Sequence, residues 1–231
     1  MTGDDRRGIK SFGRRKGRIK PNQMKRLERE LPTLAIPRAE SRAALLDKLG
    51  ADPASARLVL EIGFGGGEFL AAQAERHPAD RFIGAEVYLD GVGSMLFRIR
   101  EGGLSNVRLT DREIDQVLAD DLPPSACDHV TINFPDPWPK TRHHKRRLIQ
   151  PDFLDRLAEK MAPGGALTLA TDWGHYADHM LRVIGAHPAF ENLSRYGGFV
   201  SPPAGWITTS FEKKGRDVGR FIFHLRFRKR G

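Results

Sequence analysis

Apolar and polar positions alternate along the chain in short blocks, and the blocks change period. The apolar run Leu58–Ile62, with the β-branched Val59 and Ile62, predicts a buried strand. Four glycines at 63, 65, 66 and 67 make a turn, and in 68–77 Phe69, Leu70, Ala72 and Ala74 recur at helical spacing. Further strands read over 81–87, 106–110, 128–134 and 166–171. A helix near Ser41 turns Leu45, Leu46 and Leu49 inward. Another over 152–161 places Leu154, Leu157, Ala158 and Met161 on one face and stops at Pro163 and Gly164. A third starts at His175 and buries Tyr176, Met180, Val183 and Ile184. Residues 221–227 alternate as a late strand, with an antiparallel partner expected between Asn192 and Val200. Strands alternating with helices predict an α/β domain with a mostly parallel sheet. The polar segment 201–219 is too long for a hairpin and should project over a ligand edge.

The chemistry-bearing residues cluster at the ends of these strands. The glycine turn lets the backbone approach a ligand closely, and the helix start behind it favours electron-rich groups. Dinucleotide-binding loops carry a third glycine where this chain has Glu68, and here an acid, Glu61, precedes the glycines in EIGFGGG. Glu61 would repel a pyrophosphate but suits the positive amino group of an amino acid, which points to S-adenosylmethionine. Glu86 ends the second strand about twenty residues beyond the glycines, the spacing of a carboxylate that binds ribose hydroxyls. Asp111 and Glu113 both follow the third strand, and the sequence leaves open which of them faces the adenine. The fourth strand delivers Asp136 just past its carboxyl end, where open α/β sheets bind ligands.

Residues 133–147 read NFPDPWPKTRHHKRR. Pro135 and Pro137 restrict the backbone around Asp136, and Trp138 offers a face on which a base can stack. Lys140, Arg142, Lys145, Arg146 and Arg147 follow as expected phosphate contacts. An acid is held rigidly beside a polyanion-binding surface.

In these motifs the chain resembles the bacterial tRNA (guanine-N7)-methyltransferases, over nearly its whole length. The resemblance rests on LEIGFGGGEFL, IGAEV, GLSNVR, NFPDPWPKTRHHKRR, ATDW and TSFEKKG. It implies a class I S-adenosylmethionine-dependent methyltransferase fold, Rossmann-like, with a mostly parallel seven-stranded sheet and an antiparallel late strand. It implies S-adenosylmethionine as methyl donor, S-adenosylhomocysteine as product, and guanosine 46 in the tRNA variable region as acceptor. Carried over by residue, Glu61, Gly63, Gly65, Glu86, Glu113 and Asp136 bind the cofactor, and Asp136 sits at the reaction centre. Lys140, Asp172, Thr209, Ser210, Phe211 and Glu212 contact substrate. The family commonly has Asp or Asn where this chain has Glu113. Guanine N7 owns an in-plane lone pair, so the reaction needs placement and favourable electrostatics more than a strong base. A guanosine in the tRNA core must be opened or flipped to be reached.

Charge sharpens the picture. The net charge of +9 is segregated: residues 1–30 carry +7, residues 138–147 carry +5 and residues 213–230 carry +7, which leaves −10 on the rest. Such segregation fits phosphate contacts better than general solubility. Residues 1–30 are expected to be a flexible basic arm, disordered until RNA arrives over its first twenty residues, and residues 31–231 a single methyltransferase domain. The single cysteine, Cys127, excludes a disulfide framework, and the absence of a long apolar run or signal-peptide core predicts a soluble cytoplasmic protein with no membrane contact. No metal is expected: His143 and His144 diverge on a helix, and His175 and His179 lack a third ligand. No protein partner is evident, so a monomer or homodimer is expected. A dinucleotide-dependent oxidoreductase is disfavoured by Glu68 and the PDPW loop, and a noncatalytic RNA-binding protein by the retained acids.

Overall fold

The computed structural model describes residues 21–231. Its centre is a seven-stranded sheet in the order β3-β2-β1-β4-β5-β7-β6. The strands are β1 (Leu58–Ile62), β2 (Arg81–Ala85), β3 (Val107–Thr110), β4 (Cys127–Asn133), β5 (Met161–Thr171), β6 (Phe190–Asn192) and β7 (Phe223–Lys229). The first five are mutually parallel, and β7 inserts antiparallel between β5 and β6. β1 pairs with β2 on one side and β4 on the other, so the strand order reverses there and a crevice opens at the carboxyl ends of β1 and β4.

Burial on both faces explains the near-continuous apolar strands. Leu58, Leu60, Ile62, Ile83 and Ala85 point to one cluster, covered by α2 (Arg42–Lys48), α5 (Ile114–Asp120), α6 (Pro151–Lys160) and α7 (Gly174–Gly185). Phe82 points the other way, into a cluster with Leu70 of α3 (Glu68–Arg76) and Met95 and Leu96 of α4 (Leu89–Glu101). Ser41 caps α2 by accepting from the Ala44 amide.

Several boundaries depart from the periodicity. The last ten residues of the segment grouped as a basic arm form α1 (Pro21–Glu30), whose Leu27 is buried in the cluster with Leu96. Residues 1–20 lie outside the described residues. The helix expected over 152–161 runs from Pro151 to Lys160, and Met161 already belongs to β5 because it pairs with Cys127, the chain entering β5 through a bulge. The partner of β7 lies at Phe190–Asn192, just upstream of the expected range, and within that range Val200 contributes only a single bridge to His224.

Helix α4 was not legible in the sequence, because Gly91 and Gly93 dilute its first turns. Gly91 is there for space: a Cβ would come within 2.3 Å of the Gly65 carbonyl oxygen, so only glycine lets α4 start against the glycine turn. Gly91→Ala is expected to lower the melting temperature by about 2–10 °C, the scale of overpacking a rigid contact in a chain of this size. Calorimetry of the two proteins checks this, and an unchanged or higher Tm would contradict the contact.

Candidate active site

The crevice is a cleft of about 460 Å³ between the glycine turn, the N-terminal half of α4, the 133–138 loop and the start of α8 (Ser210–Asp217). Its floor is the turn after β1, where Gly63, Gly65 and Gly67 have φ of 72°, 54° and 74°. These left-handed conformations suit glycine and strain other residues.

Glu61 stands at the inner end with 3% exposure. Its Oε1 accepts from Asn133 Nδ2 at 3.4 Å, while Glu61 Oε2 and Asn133 Oδ1 are buried without a partner. Burial, moderated by the Asn133 hydrogen bond and reinforced by Glu86, pushes the Glu61 pKa up to about 8. Two orphaned acceptors in one corner fit an ammonium group, which would satisfy both and return Glu61 to its ionised form. The amino group of S-adenosylmethionine meets that requirement. Binding should therefore expel a proton: near pH 7 the free protein holds it, and about one is released per cofactor bound. Affinity should accordingly rise with pH between about 6 and 8. Titration calorimetry in buffers of different ionisation enthalpy measures the release, and a value near zero would contradict the Glu61 assignment.

Glu86, also buried, spans two elements. Its Oε2 accepts from the Gly65 amide at 2.8 Å and its Oε1 from the Tyr88 amide at 2.9 Å. With amides on both oxygens, the carboxylate still keeps acceptor capacity for a ribose hydroxyl. Burial raises its pKa, against hydrogen bonds from the Tyr88, Gly65 and Val87 amides, with the Asp136 charge adding to the rise. Asp136 lies at the cleft mouth, open to solvent on one side, and desolvation by the surrounding walls raises its pKa. It is carried on a constrained loop, with Phe134 at φ 50° and Trp138 at φ 43° flanking the Pro135–Asp136–Pro137 step. Backbone outliers of this kind concentrate at functional sites.

The structure gathers only some of the expected residues. Glu61, Gly63, Gly65, Glu86, Asp136, Thr209 and Phe211 line the cleft, but Glu113 and Asp111 do not. At the place expected for the adenine contact, Arg112 and Ile114 line the wall, and Glu113 instead leads into α5, its carbonyl accepting from the Gln116 and Val117 amides. Lys140 is exposed beyond the loop. Asp172 sits under α8, accepting from Arg220 at 2.7 Å, with Gly215 packed so close that a Cβ would lie 3.0 Å from its Oδ2.

Segment 201–219 does cross the cleft edge, as α8. Thr209 caps it, accepting from the Glu212 amide at 3.2 Å. Ser210 docks it on α3, donating its amide and hydroxyl to Glu68, the acid in the third-glycine position. Phe211 lies over the glycine turn, 3.2 Å from where a Gly65 Cβ would be. Glu212 points away from the cleft and is fully buried, accepting from Trp206 Nε1 at 2.7 Å and from Arg216 at 2.6 Å. Arg147 also departs from the sequence reading: it has 0% exposure, so it is not a surface phosphate contact. Arg146 lines the cleft, its guanidinium 5.2 Å from the Trp138 ring centroid.

Asn133, Tyr88, Asp90 and Ser94 also line the cleft and were missed as site residues. Asn133 could have been found, since it opens the NFPDPW motif. The other three required α4. Among the described residues no group of His, Cys, Asp or Glu could hold a metal ion, and no helix is long and apolar enough to cross a membrane.

A reversed strand order with β7 antiparallel, a glycine turn after β1, and acids at the ends of β1 and β2 define a class I methyltransferase. The fold agrees with solved structures: the 16S rRNA methyltransferase KamB superposes with a TM-score of 0.58 at 17% identity, covering 86% of this chain and 99% of that one. A 16S rRNA (adenine(1408)-N(1))-methyltransferase variant from Catenulisporales acidiphilia, solved with its cosubstrate, gives 0.56 at 20% identity, covering 80% and 90%. Residues 55–225 match the family described as "Putative methyltransferase". The tRNA (guanine-N(7)-)-methyltransferase of Magnetococcus marinus is 49% identical over 97% of this chain and 89% of its own, and that of Alkalilimnicola ehrlichii 44% over 97% and 94%. The chain belongs to the tRNA (guanine-N7)-methyltransferase family.

Proposed function

We propose that the protein transfers the methyl group of S-adenosylmethionine to N7 of guanosine 46 in the variable region of tRNA, working in the cytoplasm. The observation that carries this reading is one cleft with an unpartnered acid corner at its inner end and an exposed, constrained carboxylate at its mouth. When bound, S-adenosylmethionine supplies an electrophilic sulfonium methyl. Glu61 and Asn133 hold the cofactor's amino group, and Glu86 holds its ribose. Phe211 narrows the cleft over the glycine turn and limits water. Asp136 accepts hydrogen bonds from the guanine edge and offsets positive charge as it develops on the purine, with no proton to remove from N7. Arg146 and Trp138 form the rim that meets the nucleotide.

Incubation with labelled S-adenosylmethionine and unmodified tRNA, followed by nucleoside analysis, tests the reading. 7-Methylguanosine is expected, and it should vanish when guanosine 46 is replaced. Label on another nucleoside, or retained after that replacement, would refute it.

The basic residues ahead of α1 form, in this reading, an arm that clamps phosphates for a single domain behind it. Deleting residues 1–20 removes eight Lys and Arg and two Asp, and leaves every cleft-lining residue among the described ones in place. The truncated protein is expected to keep its cofactor affinity, to bind tRNA more weakly and with a shallower salt dependence, and to raise KM more than it lowers kcat. Binding titrations at several salt concentrations measure this, and equal slopes would exclude the clamp.

A further inference from the structure

The basic run after the acid loop contains one arginine that cannot do what its neighbours do. Lys145 and Arg142 are exposed, whereas Arg147 is completely buried. Removing a guanidinium from water is expensive, and such groups are ordinarily paired with a carboxylate. Among the described residues no carboxylate pairs with Arg147. Its Nε donates to the Pro137 carbonyl at 3.0 Å, its NH2 donates to His175 Nδ1 at 3.1 Å, and its guanidinium lies 4.8 Å from the Tyr176 ring centroid. Because arginine only donates, His175 must accept at Nδ1 and so is the neutral tautomer protonated at Nε2. The remaining nitrogen, NH1, is buried without a partner.

The Pro137 carbonyl belongs to the residue between Asp136 and Trp138. Proline has no amide hydrogen, so the two prolines remove donors that would otherwise tie this loop to the body. Two non-glycine residues with positive φ also bracket it. Such a conformation persists only when its surroundings over-determine it. The Phe134 amide, donating to the Ala170 carbonyl at 2.8 Å, pins the loop at its start, and Arg147 pins it on the far side of Asp136.

We propose that Arg147 is a positioning residue for methyl transfer, anchoring the acid loop to α7 through the Pro137 carbonyl so that Asp136 and Trp138 are held at the acceptor. This rests on the reading of Asp136 as the acceptor-facing group. The side chains separate anchor from phosphate contact. The Nε2 of glutamine falls at the same place along the chain as arginine Nε and can donate to Pro137 without charge. Lysine keeps the charge but has a methylene there.

Arg147→Gln, Arg147→Lys, Arg147→Met and Asp136→Ala are compared in the full chain for kcat and KM with tRNA, for S-adenosylmethionine affinity, and for the salt slope of tRNA binding. The expected result is that the Arg147 variants bind cofactor within about twofold of the parent and keep the parent's salt slope. Arg147→Met should lose kcat on the order of 10- to 100-fold, and Arg147→Gln should recover at least about threefold of it and exceed Arg147→Lys. Arg147→Lys outperforming Arg147→Gln, a slope shallower by about one, or parental kcat in Arg147→Met would overturn the proposal. Should Arg147→Met not fold, the order of the Gln and Lys variants decides alone, and an unfolded Arg147→Gln would make the residue a stability determinant and also overturn it. Parental turnover in Asp136→Ala would sink the reading of the acid itself, a failure distinct from any result at Arg147.

Discussion

Asp136→Ala is expected to lower turnover by about two to three orders of magnitude while S-adenosylmethionine affinity stays within about twofold of the parent. The magnitude is that of removing a preorganised group aimed at charge that develops in the transition state. The direction follows from position. Asp136 is exposed at the cleft whereas Glu61 is buried, and the Asp136 pKa is raised by desolvation alone. The loop's constraints, two prolines and the Arg147 hydrogen bond to Pro137, are backbone features that alanine leaves in place. Single-turnover rates at saturating tRNA, with calorimetric cofactor titration on the same preparation, measure both halves. A variant with more than about a tenth of parental turnover would remove Asp136 from the reaction centre.

Glu86→Ala is expected to weaken cofactor binding by about 1–3 kcal/mol, roughly 5- to 150-fold, with tRNA affinity unchanged. Two effects add. Charge-assisted hydrogen bonds to the ribose are lost, and the Gly65 and Tyr88 amides lose the acceptor that couples the glycine turn to the start of α4. Glu86→Gln retains one carbonyl acceptor and should fall between the parent and Glu86→Ala, which separates the two effects by degree. Calorimetry that returns parental affinity for Glu86→Ala would show that the second-strand acid does not touch the cofactor. Weakened tRNA binding of similar size would show that the cleft and the RNA surface are not separable there.

The strands and the acids at their tips were legible because each is a local signal. β1 has the predicted bounds, and Glu61, Glu86 and Asp136 come together at the reversal of strand order because parallel strands all present their carboxyl ends to one edge. Helix α4 was illegible because Gly91 serves a contact with a residue distant in sequence, the Gly65 carbonyl, and local propensity carries no trace of that need. Arg147 and Glu212 were misread for a related reason. In a run of basic residues every arginine looks alike, and an acid carried over from a family motif looks like a ligand, until packing decides which side chains are inside.

The sequence by itself determined the strands, the helices with a clear apolar period, the glycine turn, the order of the acids and the rigid step around Asp136, because period, proline and glycine act over a few residues. Tertiary structure alone decided which charges face solvent, which face the cleft and which are buried. Glu61 is left with an orphaned oxygen because β4 brings Asn133 beside it and nothing else. Glu68, in the third-glycine position, holds α8 because Ser210 docks there. Arg147 turns inward because Pro137, His175 and Tyr176 converge on it from two segments. Burial is a property of what packs against a residue, and that partner lies elsewhere in the chain.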